Sequence, residues 1–252
     1  MHGACGERRM TVAPGGNGPE RLPERLPERL AERLAERLAE RLEGDGEPPV
    51  LVAFQGERGA YGHLALERVW GARSEVVPCR SFDDVVLAVE SGRAEYAVLP
   101  LRNEIIGEIA GVGALIAAAG LQVVGEIRQP VQHCLLAPAG SVLGEVAAVF
   151  SHPAALAQCR GFLARHRAMA PREAYDTAGA ARDVAARGDR REAAIAAEGC
   201  AERYGLQLLA RGIGDRDDNA TIFAVVQSRG RRPGAPPATG GPRPLRRSPG
   251  AG

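Results

Sequence analysis

The sequence predicts an α/β protein of two lobes with a cleft between them. Short apolar runs alternate with Ala-rich helical stretches between residues 50 and 227, which is the signature of βα units and of a sheet flanked by helices. The series starts afresh near residue 138, so two sheets are expected. Gly-, Pro- and Arg-rich ends flank this region and have too few apolar residues to build a core.

In chain order, residues 50–54 read as a strand, 61–70 as a helix and 75–78 as a strand. A helix follows at 81–91, with Ser81 as N-cap and Asp83 and Asp84 placed to meet the positive helix end. Residues 96–100 read as a strand, 111–119 as a helix, and 121–127 and 132–137 as strands. The second unit reads as a strand at 147–150, one helix over 153–166, a helix at 178–187, a strand at 193–196 and a helix at 199–204. The last strand is 221–227.

Residues 1–49 form an extension built on a four-residue unit, with Leu22, Leu26, Leu30, Leu34, Leu38 and Leu42 in register. Each leucine drifts about 40° around a helix axis, so no coiled-coil seam forms. Pro23 and Pro27 oppose a helix early and Ala31 onward favours one, so an appended charged helix without a catalytic role is expected. Residues 228–252 read as a disordered tail.

Composition excludes several chemistries. Formal charge is +1, so no global electrostatic case exists for nucleic acid or an anionic membrane as partner. All basic residues are arginine, which removes a lysine Schiff base or lysine general base. Cys5, Cys79, Cys134, Cys159 and Cys200 are widely spaced, which fits a reducing cytoplasm better than a disulfide framework. The histidines show no metal-ligand spacing, so no metal is expected. No apolar run is long enough to span a bilayer.

Chemistry is expected in the loops at strand ends, where backbone N–H groups meet anions. The candidates are QGERGAYG at 55–62, the Arg102-Asn103-Glu104 loop, SHPAALAQC at 151–159 with Ser151 as helix cap, YDTAGAA at 175–181 with an Asp/Thr cap, and DNATIF at 218–223. Taken singly, each also has a purely structural explanation.

Taken together, these segments resemble the prephenate dehydratase family, including its arogenate dehydratase branch. VAFQGERGAYG, EVVPCRSFDDVVLAVESGRAEYAVLPL, LQVVGEIRQPVQHCLLA, SHPAALAQCRGFL, REAYDTAGAA, AAIAAEGCAERYGLQLLARGI and DNATIF occur in family order between Val50 and Gln227. The resemblance implies a two-lobed fold like a type II periplasmic binding protein. Lobe 1 would comprise about 50–130 plus 214–227 and lobe 2 about 131–213, with substrate in the interlobe cleft. It further implies prephenate as small-molecule substrate, no cofactor, and room for a homodimer.

By resemblance, Thr221 and Asn103 are the catalytic candidates. Ala60, Tyr61, Gly62, Arg102, Glu104, Ser151, Thr177, Ala178, Asn219, Ile222 and Phe223 are the candidates for binding substrate.

Four positions depart from the family. Ile222 stands where the family has arginine, Arg102 and Glu104 flank Asn103 where it has Glu and Ser, and Gly62 stands where it has a hydroxyl residue. These changes resemble the non-aromatising prephenate decarboxylases of antibiotic biosynthesis, and no feedback domain is expected after Gln227. The expected activity is therefore decarboxylation to dihydro-4-hydroxyphenylpyruvate, with Arg102 offering a positive charge elsewhere in the cleft. A divergent prephenate or arogenate dehydratase and a non-catalytic cleft-binding protein are the alternatives.

Overall fold

A computed structural model of the protein describes residues 49–229. The charged repeat and the tail from residue 230 onward, for which a helix and disorder are expected, fall outside these residues.

The chain runs β1 (Val50–Gln55), α1 (Tyr61–Trp70), β2 (Ser74–Cys79), α2 (Phe82–Glu90), β3 (Tyr96–Asn103), β4 (Gly107–Glu108), α3 (Val112–Ala118) and β5 (Leu121–Pro130). It crosses into β6 (Cys134–Pro138), β7 (Ala148–Ser151), α4 (Pro153–Gln158), α5 (Arg160–Arg165), β8 (Ala170–Glu173), α6 (Thr177–Arg187), β9 (Glu192–Ala196), α7 (Gly199–Tyr204) and β10 (Leu206–Ala210). It then returns as β11 (Ala220–Ser228). One sheet has the order β2-β1-β3-β11-β5 with β4 on β3, and the other β10-β6-β9-β7-β8. This is the two-lobed α/β architecture of type II periplasmic binding proteins.

Period-two alternation divides the apolar residues between layers. Val52, Phe54, Val98, Phe223 and Val225 face one side of the first sheet, and Ala53, Ala97, Leu99, Ala224 and Val226 the other, under α2 and α3. In the second sheet Cys134, Leu136, Ala194 and Ala196 join the same layer as Phe54 and Phe223, while Leu135, Ala193 and Ile195 pack under α4 and α5. One apolar layer is therefore shared by both lobes and forms the floor beneath the cleft.

The two crossing segments run side by side. Val131 N–H donates to Asn219 O at 2.8 Å and Ile213 N–H to His133 O at 3.0 Å. Beyond them β11 lies antiparallel between β3 and β5, paired from Ala220 opposite Pro130 to Ser228 opposite Leu121. The last strand of the described chain thus completes the sheet of the first lobe after the chain has passed through the second.

Most elements lie where the sequence puts them, with three differences. The helix expected over 153–166 is broken at Cys159, because Asp215 of the returning segment captures its ladder. Gln158 O accepts from Asp215 N at 2.7 Å, and Gly161 N donates to Asp215 Oδ1 at 2.8 Å. Ser151 is not the cap of that helix. Its buried hydroxyl donates to Ile195 O at 2.6 Å, and His152 Nδ1 accepts from Ala154 N at 3.2 Å in the cap's place. β4, β8 and β10 were not expected. β8 is an edge strand with three exposed residues, so its pattern carries no apolar signal.

The α2 terminus follows the sequence closely. Asp84 N donates to Ser81 Oγ at 3.1 Å while the Asp84 carboxylate accepts from Ser81 N, a reciprocal capping box. Replacing Ser81 by alanine should cost about 1 kcal/mol. Urea denaturation should show a lowered midpoint with an unchanged slope.

Candidate functional site

Between the lobes lies a cavity of about 210 Å³. The first lobe contributes Ala60, Tyr61 and Gly62 from the start of α1, Pro100 and Asn103 from β3, Ile106 and Ile109 from the loop around β4, and Thr221 and Phe223 from β11. The second contributes His152, Gln158, Tyr175, Asp176 and Thr177, with His133 at the crossing. Apolar walls from Phe82, Val98, Val131 and Phe223 suit an alicyclic or aromatic ring.

β11 decides which side chains reach this space. Thr221 and Phe223 line the cavity, so Ile222 between them points to the opposite face of the sheet. Ile222 pairs there with Arg102 on one side and Arg128 on the other. A register shift between Ile222 and Phe223 in the pairing with β3 returns Asn103 to the cavity face beside Thr221.

The Asn103 amide is fully committed. Its Nδ2 donates toward Asn219 Oδ1 at 2.8 Å, Thr221 Oγ1 at 3.0 Å and Ala220 O at 3.1 Å, sharing two hydrogens among three acceptors. Its Oδ1 accepts from Ile105 N at 3.0 Å and Ile106 N at 3.2 Å, which closes the turn after β3. Because Thr221 Oγ1 accepts from Asn103, its own hydrogen is free to be donated into the cavity.

From Asn219 a chain of hydrogen bonds crosses the cleft. Asn219 Nδ2 donates to Gln158 Oε1 at 3.2 Å, and the same oxygen lies 2.8 Å from His133 Nε2. His133 Nδ1 is 3.1 Å from the Tyr61 hydroxyl, which also reaches Gln132 O at 2.8 Å. Burial depresses the His133 pKa, opposed by its bond to Gln158. The neutral ring with hydrogen on Nε2 satisfies Gln158, while the one hydrogen of Tyr61, whose pKa burial raises, is shared between Gln132 O and His133 Nδ1.

The α1 start is shaped by Gly59, whose φ of +98° favours glycine and whose added Cβ would sit 2.8 Å from Cys200 Sγ. Gly59 N donates to His63 Nδ1 at 3.2 Å, which fixes His63 as an acceptor on that nitrogen. Glu67 lies 3.5 Å from the same atom, yet no ion pair forms, because burial and then Arg203 and Arg58 lower the His63 pKa to about 4.

A second seam joins the lobes through Asp176, the N-cap of α6. Its Oδ2 accepts from Gly179 N at 2.9 Å and from Glu57 N, in the α1 loop, at 3.0 Å. Burial raises the Asp176 pKa, opposed by these backbone donors. Beside it, the Glu57 carboxylate accepts from the Tyr175 hydroxyl and from Arg182.

Of the residues singled out from sequence, Ala60, Tyr61, Gly62, Asn103, Thr177, Thr221 and Phe223 line the cavity. Asn219 lies just behind it, bonded to Asn103 and Gln158. Ala178 is core, and Ser151 is buried against Ile195 O. Arg102 and Ile222 share the far face, and Glu104 is held outside by a bidentate bond to Arg128 at 2.9 and 2.7 Å that lowers its pKa. The absent guanidinium at Ile222 is thus no loss to the cavity, and Arg102 does not supply one. His133, Gln158, Tyr175 and Asp176 are lining residues that the sequence reading did not select. A histidine just before the apolar run CLLA was the available signal for the first.

A family model described as prephenate dehydratase matches residues 52–231. The arogenate dehydratase/prephenate dehydratase 2 of Arabidopsis thaliana is 42% identical over 178 residues, covering 70% of this chain and 46% of its own. A bifunctional N-acyl-homoserine lactone acylase/prephenate dehydratase of Komagataeibacter europaeus is 38% identical over 190 residues, covering 75% of this chain and 66% of its own. The chain therefore spans less than two thirds of these relatives. Among solved structures, the prephenate dehydratase of Arthrobacter aurescens in complex with L-Phe superposes with a TM-score of 0.64 at 30% identity, over 74% of this chain and 63% of that one.

The His63 assignment predicts a pH dependence. Below the ordinary histidine value of about 6.5 the unfolded chain takes up a proton that the native ring refuses until about pH 4. Stability should fall as pH drops through that window. In His63→Gln, whose side-chain oxygen can still accept from Gly59, the slope of unfolding free energy with pH should be shallower there.

Proposed function

The chain belongs to the prephenate dehydratase family, and we propose that its cleft turns a 4-hydroxycyclohexadienyl carboxylate of the prephenate type into an aromatic product, losing carbon dioxide and the 4-hydroxyl together. The observation that carries this is the 3.0 Å bond from Asn103 Nδ2 to Thr221 Oγ1, which leaves the hydrogen of this cavity-lining hydroxyl available for donation.

When the C1–carboxylate bond breaks, its electron pair enters the ring and the C4–oxygen bond breaks in turn. Thr221 donates to the departing oxygen, one proton is drawn from solvent overall, and carbon dioxide and water leave. The developing charge on oxygen meets a donor already oriented by Asn103, so little reorganisation is required in the transition state. The apolar walls hold the ring, and the N-terminal turn of α1, which lines the cavity at Tyr61 and Gly62, offers backbone N–H groups to a carboxylate.

A second reading is the non-aromatising decarboxylase, with carbon protonated in place of oxygen and a dihydro-4-hydroxyphenylpyruvate released for antibiotic biosynthesis. It is favoured by the lack of any arginine among the described cavity-lining residues, since no guanidinium then meets a departing hydroxide. Of the departures that suggest it, Ile222 and Arg102 lie on the far face while Gly62 lines the cavity, and the available Thr221 hydroxyl favours the dehydrating reaction.

Incubation with prephenate, followed by NMR of the products, separates the readings. Phenylpyruvate is expected. A non-aromatic hydroxylated pyruvate would establish the decarboxylase, and unchanged prephenate that nevertheless binds would establish a non-catalytic cleft. Thr221→Val should lower kcat by about a hundredfold, the usual loss for one transition-state hydrogen bond, with thermal stability little changed.

A further inference from the structure

Among the described residues that line the cavity there is neither arginine nor lysine, while Asp176 contributes a carboxylate. A substrate of the prephenate type brings two more, and like charges at close quarters repel. A proton taken up on binding would offset them.

The hydrogens around His133 show where such a proton fits. Ile105 and Ile106 N–H groups hold Asn103 Oδ1 as an acceptor, so the Asn103 nitrogen faces Asn219 Oδ1 and the Asn219 nitrogen faces Gln158 Oε1. Gln158 Oε1 is thereby an acceptor, and His133 must carry its hydrogen on Nε2. Three contacts then need hydrogens: His133 Nε2 with Gln158 Oε1 at 2.8 Å, His133 Nδ1 with the Tyr61 hydroxyl at 3.1 Å, and that hydroxyl with Gln132 O at 2.8 Å. A neutral imidazole and a phenol supply two between them. With one proton more, Tyr61 donates to Gln132 O and accepts from Nδ1–H, and each contact has its own hydrogen.

His152, the other histidine among the described lining residues, has no such vacancy. Its Nδ1 accepts from Ala154 N, so a second proton there would set donor against donor. The Asp176 carboxylate accepts from the backbone of Glu57, Gly179 and Thr177, bonds that favour its charged form. The other titratable groups about the His133 ring are Tyr61 from α1, Tyr175 across the cavity, Cys134 next in the chain, Cys159 after Gln158, and Asp215 beyond Gly214, whose carboxylate accepts from Gly161 N. In the free protein burial disfavours the charged ring.

We propose that His133 supplies the positive charge of the cavity: it takes up one proton when a dicarboxylate binds, and the imidazolium, held between Gln158 Oε1 and the Tyr61 hydroxyl, balances the substrate. The proposal rests on the reading of the cavity as the site of a prephenate-type substrate. It concerns how the charge is met.

The test is the pH dependence of kcat/KM and of kcat for prephenate, in the full chain and in His133→Gln. Above about pH 6.5 the free ring is neutral and the proton must come from solvent, so kcat/KM should fall at least about threefold over the next pH unit, tenfold being the limit for one proton. Over the same unit kcat should hold. Glutamine at 133 can still donate to Gln158 but carries no charge, so the variant should lose that slope. A level kcat/KM in the unmodified protein would overturn the proposal, as would a slope kept intact in His133→Gln. If that variant does not fold, Tyr61→Phe, which removes the oxygen that accepts from Nδ1–H, should weaken the slope, and an unchanged slope there overturns the proposal too. Prephenate that binds without turnover would sink the lyase reading alone. Calorimetric titration in buffers of different ionisation heat then reads the same proton, and binding without proton uptake overturns the proposal.

Discussion

The Asn103 side chain is the constraint on which the site depends. It is buried at the end of β3, and every hydrogen-bonding position of its amide is engaged: the oxygen closes a turn, and the nitrogen ties β3 to the incoming β11. An amide so held cannot rotate, so the lone pair of Thr221 that it occupies is fixed as well. The threonine oxygen is thereby held in place from two strands, and its own hydrogen is left available for donation. A hydroxyl on a loop would have to be oriented anew in each encounter with substrate.

The same residue connects the cavity to the segments that cross between the lobes. Asn219, bonded to Asn103, lies on the segment returning from the second lobe and continues through Gln158 and His133 to Tyr61 at the start of α1. Each member is buried or partly buried and each has a partner, so opening the cleft would break bonds that water could replace only on entering the cavity. The Asp176–Glu57 seam ties the α1 loop to α6 in parallel. Both connections cross between lobes through polar groups, whereas the shared apolar layer beneath them is continuous.

The break between α4 and α5 belongs to the same arrangement. Gln158 is the last residue of α4, and its carbonyl accepts from Asp215 of the returning segment. The bond that interrupts the helix therefore also places the Gln158 amide beside Asn219 and His133. A continuous helix, as local propensity favours, would have used that carbonyl for its own ladder. Here a long-range bond prevails over a local one because Asp215 of the returning segment engages both sides of the break, its N–H on Gln158 O and its carboxylate on Gly161 N.

Local chemistry determined much of this protein in its sequence. Alternation and helical stretches placed most strands and helices, Ser81 and Asp84 announced their capping box, and Asp176 announced the start of α6, because these interactions involve neighbours within a few residues. The motifs likewise determined the family and picked out Thr221 and Asn103. Period two even required Thr221 and Ile222 to face opposite ways, but not which of them faced the cleft. That was decided by the pairing of β11 between β3 and β5 and by the register shift beside Ile222, contacts with residues about a hundred positions away. Tertiary structure alone put Ile222 and Arg102 outside the cavity and drew in His133, Gln158 and Asp176. A cleft between lobes is bounded by residues distant in sequence, and no local pattern records which of them meet.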